Sequence, residues 1–264
     1  MIPLAEIKRL AAGERIPLGT VERDYVICWF LYGVSKIATQ DLIFKGGTAL
    51  RKTYFPLWRF SEDLDFSSRK TMEEEEIESL LKSVNEKALK GGIVFDIKSL
   101  HVNPEYCMGK IYYTGPLQTK NSFKLDISMN EFLHERYLSR EVLWEYSDKE
   151  KVGILVYSLE EILAEKLRSL LQRGKSRDYY DIWTLLGAHR KDINMKTTRQ
   201  IFKKKCRHLS VPFNGVDDFF DADALAETER FWERGLAHQI DELPGFDTVI
   251  GECKSLVEIV FGRQ

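Results

Sequence analysis

The stretch FKGGTALRKTYFPLWRFSEDLDFS, Phe44 to Ser67, narrows what this chain can fold into more than any other part of it. Asp41 to Lys45 has the length and composition of a short strand, which Gly46-Gly47 breaks. Thr48 can cap a short helix carrying Ala49, Leu50, Arg51, Lys52 and Tyr54, and Pro56 limits its length. Asp63 to Ser67 alternates polar and apolar residues and predicts a second strand. Strand side chains point alternately to opposite faces, so Asp63 and Asp65 share one face and Leu64 and Phe66 the other. Two carboxylates so spaced can hold Mg²⁺ or Mn²⁺, hard ions that also accept phosphate oxygens. The glycine turn suits the same chemistry, because it lets backbone N–H groups approach an anion at the start of a helix.

Around this segment the pattern is α/β. The run from Arg23 to Ile37 is too long and too apolar for a strand and reads as a mostly buried helix. Glu73 to Glu78 opens an amphipathic helix that reaches about Leu89 and ends at Gly91-Gly92. Three β-like runs follow, Ile93 to Val102, Lys110 to Thr114 and Ser122 to Met129. Beyond Ser158 the texture turns helical: LEEILAEKLRSLLQR, RDYYDIWTLL, the stretch near Ile201, Ala224 to Ile240 and Ser255 to Phe261 all suit helices. The expectation is a mixed sheet with flanking helices over residues 1–155, followed by a helical domain, 156–264, that completes the nucleotide and acceptor site.

A third carboxylate would complete the metal site or act as a base. Asp126 in SFKLDISMN is the first choice, on the polar side of a strand whose Phe123, Leu125 and Ile127 face the other way; a solvated edge strand would look the same. Asp96 in IVFDIKS is the second choice. In the helical half, Leu159, Ile162, Leu163, Leu167, Leu170 and Leu171 form an apolar stripe and leave Lys166 and Arg173 on a different face. Asp178 at a helix start suits the helix dipole, and Asp181 suits a pair with a nearby base. Tyr179, Tyr180 and Trp183 read as packing residues.

The 39 basic and 41 acidic residues give a net charge of −2, which supplies no polycationic field for nonspecific nucleic-acid binding. Any such contact needs a local patch, and Lys203, Lys204, Lys205, Arg207 and His208 offer the best one. Cys28, Cys107, Cys206 and Cys253 are far apart and form no metal-type pair, which fits reduced thiols in a cytoplasmic protein. No signal-type start and no membrane-spanning run are expected. The scattered histidines assemble neither a zinc set nor a Ser-His-Asp arrangement.

The path from Gly46-Gly47 to Asp63-Leu64-Asp65 is similar to the nucleotidyltransferase superfamily that includes DNA polymerase β. The strings KGGTALRK, RFSEDLDFS, LEEILAEKLRSLLQR and KSRDYYDIW together resemble the AbiEii-type toxins of type IV toxin–antitoxin and phage abortive-infection systems, over about residues 44–186. The family commonly has serine after the first glycine, where this chain has Gly47 and then Thr48. The resemblance implies NTP-dependent transfer of a nucleoside monophosphate to RNA, at a tRNA 3′ end, with release of pyrophosphate and control by a cognate antitoxin. It implies metal ligation by Asp63, Asp65 and Asp126, catalytic roles for these with Lys166 and Asp178, and nucleotide binding by Gly46, Gly47, Thr48, Arg51, Ser61, Lys166 and Arg177. A small-molecule or protein acceptor, or a non-catalytic RNA-binding module, are the rival expectations.

Overall fold

A computed structural model describes residues 1–37, 40–134 and 136–262. The chain divides into two compact units, one of residues 1–131 and 137–156, the other of residues 132–136 and 157–264. Sequence patterning set a border at 155/156; it gave no hint that Phe132–Arg136 joins the second unit.

The first unit holds a seven-stranded mixed sheet, in the order β3-β4-β5-β2-β1-β7-β6. Its strands are β1 (Leu42–Lys45), β2 (Asp63–Ser68), β3 (Phe95–Val102), β4 (Tyr106–Thr114), β5 (Lys120–Ser128), β6 (Leu138–Glu141) and β7 (Gly153–Val156). β2 pairs antiparallel with β1 and parallel with β5, which makes it the central strand of the site. One face of these strands is apolar: Phe44 and Phe66 pack ring to ring at 5.2 Å, and Phe123 meets Phe30 of helix α2 (Leu18–Lys36) at 5.5 Å. α2 is buried on most sides from Thr20 to Val34, its charged Glu22 and Asp24 included. At Gly33 an added Cβ would come within 2.6 Å of the Val84 carbonyl, so glycine permits the close approach of α4 (Glu74–Ala88). α1 (Leu4–Glu14) precedes α2. α4 starts with a reciprocal Glu73/Glu76 capping box, the reason the acidic run opens the helix there.

Asp24 of α2, buried to 3% exposure, accepts from Lys52, from Arg51 Nε at 3.2 Å and from the Tyr146 hydroxyl at 2.7 Å. Burial would push its carboxyl up, but the Lys52 and Arg51 charges outweigh it and hold it below the usual range. The network ties α2 to the turn of chain after the Gly-Gly motif, and removing one partner of such a buried pair costs about 3–5 kcal/mol.

The second unit is helical: α5 (Leu159–Arg173), α6 (Ser176–Ala188), α7 (Met195–His208), α8 (Ala222–Arg230), α9 (Trp232–Leu236) and α10 (Phe246–Phe261). Ser158 caps α5 by accepting from Glu161 N, and Gly174 ends it at φ 50°. Lys205 of α7, expected in an exposed basic patch, is instead buried at 1% and reaches Glu161 at 3.3 Å, Glu165 at 3.2 Å and the Phe132 carbonyl at 2.9 Å. It occupies the inward side of a helix whose Ile201, Phe202 and Cys206 are also buried. Glu161 accepts from His134 N at 3.0 Å, while its other carboxylate oxygen is buried without a hydrogen-bond partner. Burial pushes this carboxyl up to about 7, against the opposing pull of Lys205.

The Glu161 shift has a signed consequence for stability. A carboxyl with a raised folded-state pKa favours folding at low pH; the gain is complete below about 4.5 and lost as pH rises through about 7, worth ~3 kcal/mol at most. The thermal midpoint is therefore expected to fall by several degrees between pH 5 and pH 8, and Glu161→Gln to flatten that part of the profile. Calorimetry over this range checks it; an unchanged profile in the variant would remove Glu161 as the cause.

All four cysteines are free and buried, and no helix among the described residues is long and apolar enough to cross a membrane.

Candidate active site

The face of β1, β2 and β5 opposite the aromatic packing carries the carboxylates. In register, Asp65 stands directly beside Asp126 on β5 and directly opposite Lys45 on β1, and Asp63 follows on the same face two residues away. Side chains so paired on adjacent strands have Cβ atoms about 5 Å apart. All three aspartates are half-buried, neither lost in the core nor fully solvated. Asp96, the second choice for a third carboxylate, lies on edge strand β3, separated from β2 by β4 and β5, and is exposed beside Lys98 and Lys120.

Gly46 has φ +77°, and a Cβ there would meet Asp65 Oδ2 at 2.3 Å. Only glycine fits both demands, so the turn and the carboxylate are in direct contact. The helix after it starts at Gly46, as α3 (Gly46–Ala49), and widens into a π turn, Leu50–Tyr54. Thr48 therefore sits inside the helix and does not cap it. Its buried hydroxyl donates to the Asp63 carbonyl, which pins the start of β2 to the glycine turn. At Gly47 an added Cβ would lie 2.9 Å from the Arg59 guanidinium and 3.2 Å from Ser61 Oγ; both side chains are buried and crowd the turn. Ser61 was among the expected nucleotide-binding residues. Arg59 was not, although its place in RFSEDLDFS, two residues from Ser61 and four from Asp63, was a usable signal.

Arg51, expected at the nucleotide, is turned into the core. Besides Asp24 it donates to the carbonyls of Pro56, at 3.2 Å, and Trp58, and its guanidinium lies 3.6 Å from the Phe60 ring centre. With these groups satisfied, it fixes the loop that leads from the glycine turn into β2.

In the second unit the structure brings Lys166, Asp178 and Asp181 together. Lys166 Nζ is 2.5 Å from Asp181 and 3.7 Å from Asp178, and all three are buried. Arg173 Nε holds Asp178 at 3.0 Å. Lys166 was expected on a helix face away from the apolar stripe; it lies instead against α6, because Asp178 and Asp181 supply the charges that make a buried ammonium tolerable. Arg177 is half-buried at the start of α6.

The donor set fits a hard divalent ion. Among the described residues no group of three or more His, Cys, Asp or Glu side chains is gathered closely enough to hold a metal by itself. Mg²⁺ does not require one: it usually keeps waters and takes one or two carboxylates together with substrate phosphates. Asp65 and Asp126 are the adjacent pair, with Asp63 on the same face.

Mixed strands with two flanking carboxylates beside a glycine turn describe a nucleotidyltransferase fold, and comparison with known proteins supports that class. The family model for the nucleotidyl transferase AbiEii toxin of type IV toxin–antitoxin systems matches residues 29–252, so the chain belongs to that family and is a nucleotidyltransferase. The protein aq_aa25 of Aquifex aeolicus (strain VF5) is 27% identical over 199 residues, covering 74% of this chain and 82% of that protein. MenT4, a nucleotidyltransferase toxin from Mycobacterium tuberculosis H37Rv, shares the fold with a TM-score of 0.75 at 16% identity, over 100% of this chain and 91% of that one. A chain from H. pylori shares it with a TM-score of 0.62 at 19% identity, over 91% and 94%.

Proposed function

We propose that this chain is a cytoplasmic toxin that transfers a nucleoside monophosphate from an NTP to an RNA hydroxyl at a tRNA 3′ end, and that a cognate antitoxin restrains it. The observation that carries this reading is the direct contact of Gly46 with Asp65, beside Asp126 in register: a backbone turn able to approach phosphate adjoins two carboxylates able to approach a metal. Asp63, Asp65 and Asp126 hold Mg²⁺ or Mn²⁺. A bound ion supplies Lewis-acid polarisation and charge neutralisation at the reacting phosphate. Gly46, Gly47, Ser61 and Arg59 border the nucleotide phosphates; Lys166, with Asp178 and Arg177, addresses the triphosphate. The acceptor oxygen attacks the α-phosphorus, the bond to the bridging oxygen of the β-phosphate breaks, and pyrophosphate departs. Asp126 takes the acceptor proton.

The RNA acceptor is supported by the exposed face of α7, where Lys203, Lys204, Arg207 and His208 remain after Lys205 is withdrawn into the core. Such a face contacts a phosphate backbone through counterion release. The test combines the purified chain with Mg²⁺, each labelled NTP and mixed cellular RNA, and separates RNA, protein and small-molecule products. Label on RNA ends is expected, chiefly on tRNA. In cells, expression without a partner is expected to slow growth. Label on protein or a small molecule would keep the chemistry and change the acceptor; no label on any product, with growth unaffected, would leave a binding role.

A further inference from the structure

Lys45 directly precedes the glycine turn, yet neither the sequence nor the proposed chemistry gives it a task. It ends β1 opposite Asp65 and is buried at 5%. Its side chain crosses β2 to reach β5: Nζ lies 3.1 Å from Ser128 Oγ and 4.0 Å from the Glu131 carboxylate, which is itself buried. Ser128 pairs with Ser67 and sits two residues from Asp126 on the same face. The ammonium is therefore laid across the face that carries Asp63, Asp65 and Asp126.

A buried ammonium is costly unless anions surround it, and two carboxylates side by side on adjacent strands repel unless a cation is near. The two needs meet on this face. Lys124, opposite Asp63, is exposed, so solvent and salt screen its charge. We propose that Lys45 is the built-in counter-ion of the carboxylate face: it offsets the charge of Asp65, Asp126 and Glu131 in the metal-free protein and opposes the divalent cation that loads there. It is a positioning residue that sets metal affinity. With part of the negative charge already offset, the face binds a divalent ion weakly by itself and relies on triphosphate oxygens to complete the binding, so that metal and nucleotide arrive together. The inference rests on the metal-binding reading of Asp65.

The magnitude follows from the register. Two residues along a strand span about 7 Å, and a unit charge that far from a divalent ion, in a water-like medium, changes its affinity about five- to tenfold. Mn²⁺ binding by the full-length protein, read by electron paramagnetic resonance without nucleotide, tests this together with the thermal midpoint of the metal-free protein. Lys45→Met is expected to tighten Mn²⁺ binding about five- to tenfold, to lower the metal-free midpoint and to enlarge the rise that Mn²⁺ produces. Lys45→Arg should keep both near wild type. Glu131→Gln, which leaves the ammonium less neutralised, should shift binding the other way and keeps the test open if Lys45→Met fails to fold. Unchanged or weaker Mn²⁺ binding in Lys45→Met, or tighter binding in Glu131→Gln, overturns the inference. Asp65→Asn separates the two levels: if it binds Mn²⁺ like wild type, the metal reading and the Lys45 inference fall together. If it loses binding while Lys45→Met matches wild type, only Lys45 loses its role.

Discussion

Asp65→Asn is expected to slow nucleotide transfer about a thousandfold while moving the thermal midpoint by no more than a few degrees. The amide has the size and shape of the carboxylate, so it still fits against Gly46, where the backbone has no room to spare. The β1–β2–β5 pairing does not depend on the charge, and the repulsion relieved between Asp65 and Asp126 opposes the loss of one anion beside Lys45. The loss falls on the chemistry. A metal ion supplies several kcal/mol of transition-state charge stabilisation, and each 1.36 kcal/mol is about tenfold in rate. Asp63→Asn should lose activity in the same way, since the carbonyl that accepts from Thr48 is backbone and survives the substitution. Rates with labelled NTP, measured beside thermal unfolding, separate lost chemistry from lost structure. A transfer rate within tenfold of wild type in a folded Asp65→Asn protein would remove this residue from the metal site.

Elements with a strong local pattern were legible in the sequence. α5 runs over the whole of LEEILAEKLRSLLQR because its apolar stripe, its Ser158 cap and its terminal Gly174 all agree. β2 and β5 were visible from alternation, and so was the shared face of Asp63 and Asp65. What local pattern could not carry was partnership. That Asp126 stands beside Asp65, and Asp96 far from it, depends on strand order, which no window of sequence contains. β6 and β7, four residues each, are too short to make a periodic signal. The long stretch from Ala224 to Ile240 splits into α8 and α9 at Phe231. The charged residues misled most: Arg51, Lys166 and Lys205 look solvent-facing by type, and each is buried because an acidic partner distant in sequence or on the next helix receives it. Thr48 has the right chemistry for a cap, but the helix starts at Gly46, three residues earlier than a Thr48 cap would set, and the hydroxyl goes to the Asp63 carbonyl instead.

Lys166→Ala is expected to fail twice, and the two failures have to be separated before the lysine can be given to the nucleotide. Removing the ammonium takes from Asp181, fully buried, the cation 2.5 Å away, and from Asp178 the cation 3.7 Å away, while Arg173 stays at 3.0 Å. Breaking a buried ion pair by removing one partner costs about 3–5 kcal/mol, which for a chain of this size lowers the midpoint by roughly 10 °C. Lost activity in Lys166→Ala alone would therefore say little about phosphate binding. The pair Lys166→Met with Asp181→Asn removes both charges together and keeps the volume nearly constant, so its midpoint should return to within a few degrees of wild type. If Lys166 holds the triphosphate, this folded double variant still binds NTP at least about tenfold more weakly, because no second ammonium replaces the one removed. Equilibrium binding of each NTP in the presence of Mg²⁺, with transfer rates alongside, reads the difference. Near-normal NTP affinity and transfer in the double variant would make Lys166 a structural ion-pair partner of α6 and leave the triphosphate to Arg59 and the glycine turn.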